Sequence, residues 1–219
     1  LFPIFVYLSQ KFNCRFLTNK NFFCEITKKK IKSITKKEII NKAKKFSPDV
    51  IFAGLGKKID RPLLSLYKNK NEVKSFIFAS SVTVYTPGQL MPLKETNEAN
   101  NANSFYAVTK LTSEKYIDLF STKNLHTSIL RLFNVYGSAQ NLGNPDQGML
   151  SIYLEQALKS DSILVKGSLQ RIRDFVHVFD VVDIVQKCLD MNHNSGLKLN
   201  VCSSRPTTVS ELLSKISSV

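Results

Sequence analysis

Phe76-Ile77-Phe78-Ala79-Ser80-Ser81, followed by Val82-Thr83-Val84-Tyr85, is the stretch from which the rest of the chain can be read. Four consecutive apolar residues ending in two serines match a strand buried on both faces, as in a parallel sheet. Upstream, Val50-Ile51-Phe52-Ala53 breaks at Gly54 in the same way, and downstream Thr127 to Phe133 reads as a third strand. Between them, residues 86–104 are polar, rich in Asn and punctuated by Pro87 and Pro92, and so form a loop. Phe105 to Phe120 reads as a helix with Val108, Leu111, Ile117 and Phe120 facing inward.

Nearer the N-terminus, Phe5 to Phe12 reads as the end of a helix and Cys14 to Leu17 as a short strand. Thr35 and Glu38 form a capping box for a helix with Ile39, Ile40, Ala43 and Phe46 on one face, stopped by Pro48. Strands alternating with helices at this pace predict an α/β domain with a parallel sheet. After Tyr136-Gly137 the texture changes. A Gly- and Asn-rich loop (138–148) leads to a helix at 149–159 and a short strand at Ile163 to Lys166. A basic loop and a helix from Asp180 to Leu189 follow, with Asp180 as its N-cap. The chain therefore divides into a region 1–137 and a smaller region 138–219.

Composition narrows the classes. The chain has 219 residues and is 43% hydrophobic, too apolar for a disordered segment and long enough to bury a core. Its longest apolar stretch, Leu1 to Leu8, falls far short of the about 20 residues that span a bilayer. It lacks a basic leader and a small-residue cleavage site, so no membrane segment and a cytoplasmic location are expected. The four cysteines share no metal or redox spacing, and no metal is expected. The net charge of +14 is uneven: residues 1–74 carry +13 and residues 75–219 only +1. The basic residues are mostly Lys interleaved with Ile and Asn, without Arg forks and stacking aromatics, which argues for a solvated surface rather than a nucleic-acid site.

One spacing carries chemistry. Tyr106 and Lys110 stand four residues apart, and Ser81 lies 25 residues upstream of Tyr106 at a strand end. On a helix, i and i+4 share a face, so phenol and ammonium point the same way. A nearby ammonium favours phenolate and lowers the tyrosine pKa, which makes Tyr106 a usable general acid/base. Ser81, at the carboxyl end of a parallel strand, can hydrogen-bond the same substrate oxygen. Taken alone, the pair also fits an ordinary exposed helix face.

Four segments occur in one order: Phe76 to Tyr85, Ser104 to Glu114, Leu130 to Gly137 and Arg173 to Val182. Together they resemble the extended short-chain dehydrogenase/reductase family, the NAD-dependent sugar-nucleotide epimerases and dehydratases, and within it the UDP-glucose 4-epimerase type. Phe52-Ala53-Gly54-Leu55 is similar to the segment lying along the cofactor, and Asn200-Val201 with Thr208 to Leu213 to the late strand and helix.

The resemblance implies a Rossmann-like parallel sheet with a small, incomplete substrate domain, and a catalytic set of Ser81, Tyr106 and Lys110. It places Phe52, Ala53, Gly54, Leu55, Tyr106, Lys110 and Phe133 against NAD, with NADP as the alternative cofactor. Ser81, Thr83, Asn134 and Arg173 fall against a nucleotide-sugar substrate, the last two at its diphosphate. Read without the family, Asn134 is a turn residue ahead of Gly137, Arg173 a salt-bridge partner of Asp174 or Asp180, and His177 a structural or rim residue. The implied partner is a second copy of the chain, as a homodimer.

The sequence departs from the family by showing neither its first strand nor its glycine-rich loop, which is the expectation for a fragment that binds NAD weakly or not at all. The interval from Gly54 to Ser81 is short and lacks the family's Asn-containing strand-to-helix segment. No carboxylate pair follows Ser81, where dehydratases carry one for elimination; Val82-Thr83 stands there instead. The expected activity is epimerisation by transient oxidation at C4. The alternatives are a 4-keto sugar-nucleotide reductase and a non-catalytic remnant.

Overall fold

The computed structural model describes residues 75–121, 125–138, 140, 142, 148–160, 162–191 and 196–218, and the backbone of three short strands at 22–24, 29–31 and 50–53. The helices expected at 5–12 and after Thr35, and the strand at 14–17, lie outside the described residues.

Strands β1 (Phe22–Cys24) and β2 (Lys29–Ile31) pair antiparallel, with Phe22 opposite Ile31. The main sheet is parallel and four-stranded. It is built from β3 (Val50–Ala53), β4 (Ser75–Ser81), β5 (His126–Leu132) and β8 (Leu197–Val201), in the order β3-β4-β5-β8. A smaller sheet joins β6 (Asn134–Tyr136), β7 (Ile172–His177) and β9 (Pro206–Thr208), with β6 and β7 parallel and β7 and β9 antiparallel. Four helices are described: α1 (Phe105–Phe120), α2 (Met149–Lys159), α3 (Val178–Asp190) and α4 (Val209–Ser217). The architecture is α/β with a parallel sheet, as the strand and helix pattern predicts, and Rossmann-like, as the resemblance implies.

Local chemistry sets the boundaries. Ser104 caps α1 by accepting from the Ala107 backbone N–H at 3.1 Å, and the helix ends where Ser121 becomes extended. The N-cap of α3 is His177 rather than Asp180. Strand β7 runs straight into the helix, and the ring Nδ1 of His177 accepts from the Phe179 N–H at 3.3 Å, leaving Asp180 inside the first turn. The strand expected at Ile163 to Lys166 does not form. Leu164 gives its backbone N–H to the Gln156 side chain at 2.6 Å instead of to a ladder, while Ile163 and Val165 pack against Tyr153, Val209 and Leu212.

Alternation along the strands builds two buried layers. Ile77 and Leu130 face α3, where Val178, Val181, Val182, Val185 and Cys188 form one apolar stripe. On the other layer lie Phe76, Phe78, Ile129 and Arg131, against α1. The inward face of α1 differs from the expected one. Val108 is 44% exposed, whereas Ala107, Lys110, Ser113, Glu114 and Ile117 are buried. Leu111 is half-buried, and the side chain of Phe120 lies outside the described residues.

Candidate active site

Ser81 is the last residue of β4, where the chain turns through a short 3-10 segment, Val82–Val84. Its hydroxyl oxygen accepts from the backbone N–H of Thr83 at 3.3 Å and from the Thr83 hydroxyl at 3.0 Å. The Ser81 side chain also acts on the Tyr106 phenol, favouring the phenolate. Tyr106 sits in the first turn of α1, and Lys110 follows one turn later with its Nζ 5.6 Å from the Tyr106 ring centroid. Lys110 is buried, donates to the Ala79 carbonyl at 2.7 Å and lies 5.0 Å from the Phe78 ring centroid. Ser81, Tyr106 and Lys110 thus meet at the carboxyl edge of the parallel sheet, where such sheets bind ligands.

The expected lowering of the Tyr106 pKa is not what the site shows. Burial pushes the phenol above its usual value of 10.0, and the Ser81 hydrogen bond opposes that push. The ammonium donates to the Ala79 carbonyl beside the ring. Because Tyr106 is 55% exposed, solvent screens the effect, and the ring presents an open face to whatever approaches the sheet edge.

Phe133 is the single residue between β5 and β6. Ser81 stands opposite Leu132 in the ladder, so Phe133 lies one residue beyond Ser81 at the same edge. Phe52 and Ala53 are in β3, with Ala53 opposite Phe78, while Gly54 and Leu55 lie outside the described residues. Asn134 opens β6, rather than a turn, and gives its side-chain N–H to the Asp174 carbonyl at 2.8 Å. Arg173 makes no ion pair with Asp174 or Asp180. The Asp174 carboxylate is taken by Ser203 (backbone N–H at 2.7 Å, hydroxyl at 3.1 Å) and by the Arg205 N–H at 3.1 Å. The Arg173 guanidinium bonds the Ile172 carbonyl at 2.8 Å, and burial, then the charge of Arg171, push its pKa down.

Behind the site runs a buried polar network that sequence reasoning missed. The Glu114 carboxylate on α1 receives Arg131 of β5 at 2.8 Å and the hydroxyl of Ser80. Arg131 stacks 4.7 Å from the Tyr85 ring centroid, and the Tyr85 hydroxyl donates to Asn200 at 2.6 Å. Burial alone lowers an arginine's pKa, but hydrogen bonds and charge from Glu114 and Tyr85 reverse this and hold Arg131 above its usual value. The available signal was Arg131 inside the apolar run Ile129-Leu130-Arg131-Leu132, since a lone cation there needs a partner. A separate cavity of about 200 Å³ beside α3, lined by Asp180, Asp183, Lys187, Asn200 and Cys202 among others, contains none of the three convergent residues.

A match to the NAD dependent epimerase/dehydratase family covers residues 57–202. The chain belongs to that family. Among curated relatives of this epimerase/dehydratase chain is a Methanocaldococcus jannaschii protein provisionally named a UDP-glucose 4-epimerase, 32% identical over 145 residues, which are 65% of this chain and 46% of the relative. The UDP-N-acetylglucosamine 4-epimerase of Methanobrevibacter ruminantium, solved in complex with UDP-N-acetylmuramic acid, superposes with a TM-score of 0.68 at 28% identity, over 75% of this chain and 52% of that one. The UDP-glucuronic acid 4-epimerase of Bacillus cereus, in complex with UDP-glucuronic acid and NAD, gives a TM-score of 0.65 at 23% identity, over 73% and 49%, a likeness that speaks to the fold. The chain spans about half the length of the relatives it matches. No helix among the described residues is long and apolar enough to cross a membrane.

Proposed function

We propose that the residues at this sheet edge are the acid/base centre of an NAD-dependent epimerase acting at C4 of a nucleotide sugar. The observation that carries this reading is the meeting of Ser81, whose hydroxyl is held by Thr83 at the end of β4, with Tyr106 and Lys110 on one face of α1. A phenol, a hydroxyl and an ammonium suit a secondary alcohol and a ribose diol, so the donor set fits the nicotinamide-ribose end of NAD. Lys110 and Phe133 would hold that end, with Phe52 to Leu55 alongside. NAD, when bound, supplies the redox chemistry by taking and returning a hydride.

The chain's own residues handle the proton. Tyr106 accepts the proton of the 4-hydroxyl and later gives it back to the same oxygen. The Ser81 side chain favours the phenolate that begins and ends the cycle, and the raised pKa of the phenol makes that phenolate the stronger base for the first transfer. Lys110, held by Ala79, keeps a positive charge beside the ring throughout. Thr83, exposed in the turn after Ser81, stands where a dehydratase would need a carboxylate, which favours epimerisation over elimination. Arg173 and Asn134 take the substrate's diphosphate, a dianion that a guanidinium without an ion pair among the described residues is suited to hold. On this reading residues 1–137 serve mainly the cofactor and 138–219 the substrate.

The test is Tyr106→Phe in the full-length protein. Loss of general acid/base assistance lowers kcat by about 10²–10⁴-fold, with nucleotide-sugar binding nearly unchanged. Wild-type turnover proceeds without net NADH consumption, which separates an epimerase from a reductase. A Tyr106→Phe enzyme with near-normal kcat would refute the assignment.

A further inference from the structure

Arg171 stands two residues before Arg173, at the entrance to β7. Its backbone is fixed on both sides: its N–H donates to the Ser168 carbonyl at 3.3 Å, and its carbonyl accepts from Val209 at 3.0 Å. The guanidinium is seated as well. A Cβ on Gly167 would come within 3.0 Å of Arg171 Nη1, so the glycine leaves the room that the fork occupies, and Nη2 lies 3.9 Å from the Met149 sulfur. Its Nε is buried and has no hydrogen-bond partner. A thioether is a weak acceptor and cannot replace the water that a guanidinium loses on burial.

Arg173 lies close enough for the charge of Arg171 to depress its pKa, an effect that Tyr153 opposes. Neither guanidinium has an ion pair among the described residues. The nearest carboxylate in sequence, Asp174, faces the other way and is engaged by Ser203 and Arg205. Two cations in half-buried positions repel one another and call for an anion that bridges them.

We infer that Arg171 and Arg173 form a two-guanidinium clamp for a diphosphate, with Arg171 the residue that distinguishes a nucleoside diphosphate from a monophosphate. The inference rests on the reading that Arg173 faces the substrate's diphosphate, and extends it to a residue with no role there so far. Arg173 takes the phosphate common to both ligands, and Arg171 supplies the added charge for the second.

Calorimetry on the full-length protein with UDP, UMP and inorganic pyrophosphate tests this, in wild type, Arg171→Gln and Arg171→Lys. Losing one charge-assisted fork is expected to weaken UDP about tenfold and UMP less than about threefold, so the UDP-to-UMP ratio collapses in Arg171→Gln. Arg171→Lys, which keeps the charge and gives up the fork, retains most of the ratio; a residue that only props the turn would show no such ranking by charge. If UDP binds wild type and the ratio is the same in Arg171→Gln, the clamp is wrong while the nucleotide-sugar reading stands. If pyrophosphate binds through Arg171 and UDP binds no better, the clamp stands and the nucleotide-sugar reading fails. If neither UDP nor pyrophosphate binds wild type, the clamp is overturned.

Discussion

Helices α1 and α3 cover opposite faces of the same four-stranded sheet with opposite chemistry. The α3 stripe is entirely apolar, Val178, Val181, Val182, Val185 and Cys188, at the spacing a helix needs to bury one side. The α1 stripe is Ala107, Lys110, Ser113, Glu114 and Ile117, polar at three of five positions and no less buried. The first face is held by area removed from water. The second is held by partners: Glu114 with Arg131 and Ser80, and Lys110 with Ala79. A sheet can therefore be sealed by a polar helix when every inward group is answered, and here that helix also carries Tyr106.

The sharpest way to break the comparison is Glu114→Ala. It strands Arg131, whose side chain is 5% exposed, and should destabilise the fold by about 3–5 kcal/mol, measured as a shift in urea midpoint. Combining Glu114→Leu with Arg131→Met removes both charges and should recover most of that loss; a double variant as unstable as the single one would mean the pair is not the source. On the α3 side, Val181→Thr puts a hydroxyl into an apolar layer and is expected to destabilise by about 1–3 kcal/mol on the same scale. No effect there would show that α3 tolerates polarity as α1 does.

What was legible in the sequence follows the same division. The elements built on continuous or periodic apolar residues were readable: β3, β4, β5, the span of α1, α2 and the body of α3. Its start was not, because an imidazole can cap a helix as well as a carboxylate and the acceptor lay three residues before the obvious Asp180. The inward face of α1 was misread because periodicity counts apolar residues, and Val108 and Leu111 outscore Lys110 and Glu114 until Arg131 is known to lie opposite. Ser81, Tyr106 and Lys110 were singled out by their spacing together with the family resemblance. Thr83 as donor to Ser81 was not, since it depends on how the chain turns after β4.

Two smaller effects sharpen the contrast further. Val108→Lys, on the outer face of α1, should change stability by less than about 0.5 kcal/mol in the same denaturation assay. A loss of 2 kcal/mol or more would place that face against something in solution. Ser81→Ala removes the donor that favours the phenolate, so the neutral form gains and the Tyr106 pKa moves further up. The ultraviolet difference between this variant and Tyr106→Phe should therefore show the phenolate band appearing at higher pH than in wild type. A shift the other way would mean that Ser81 accepts from the phenol instead of donating to it.

Where β5 leads into β6, the joint between the two sheets is a single residue. Phe133 separates β5 from β6 and is itself bonded to Val201 of β8 at 3.1 Å; β7 passes without a spacer into α3, and the Asp174 carboxylate ties β7 to the segment between β8 and β9. A hinge needs a few unbonded residues whose dihedrals can turn, and none of these crossings offers one. The small sheet is thus tied to the large one at these crossings, and rearrangement around a guest falls first to side chains and loops.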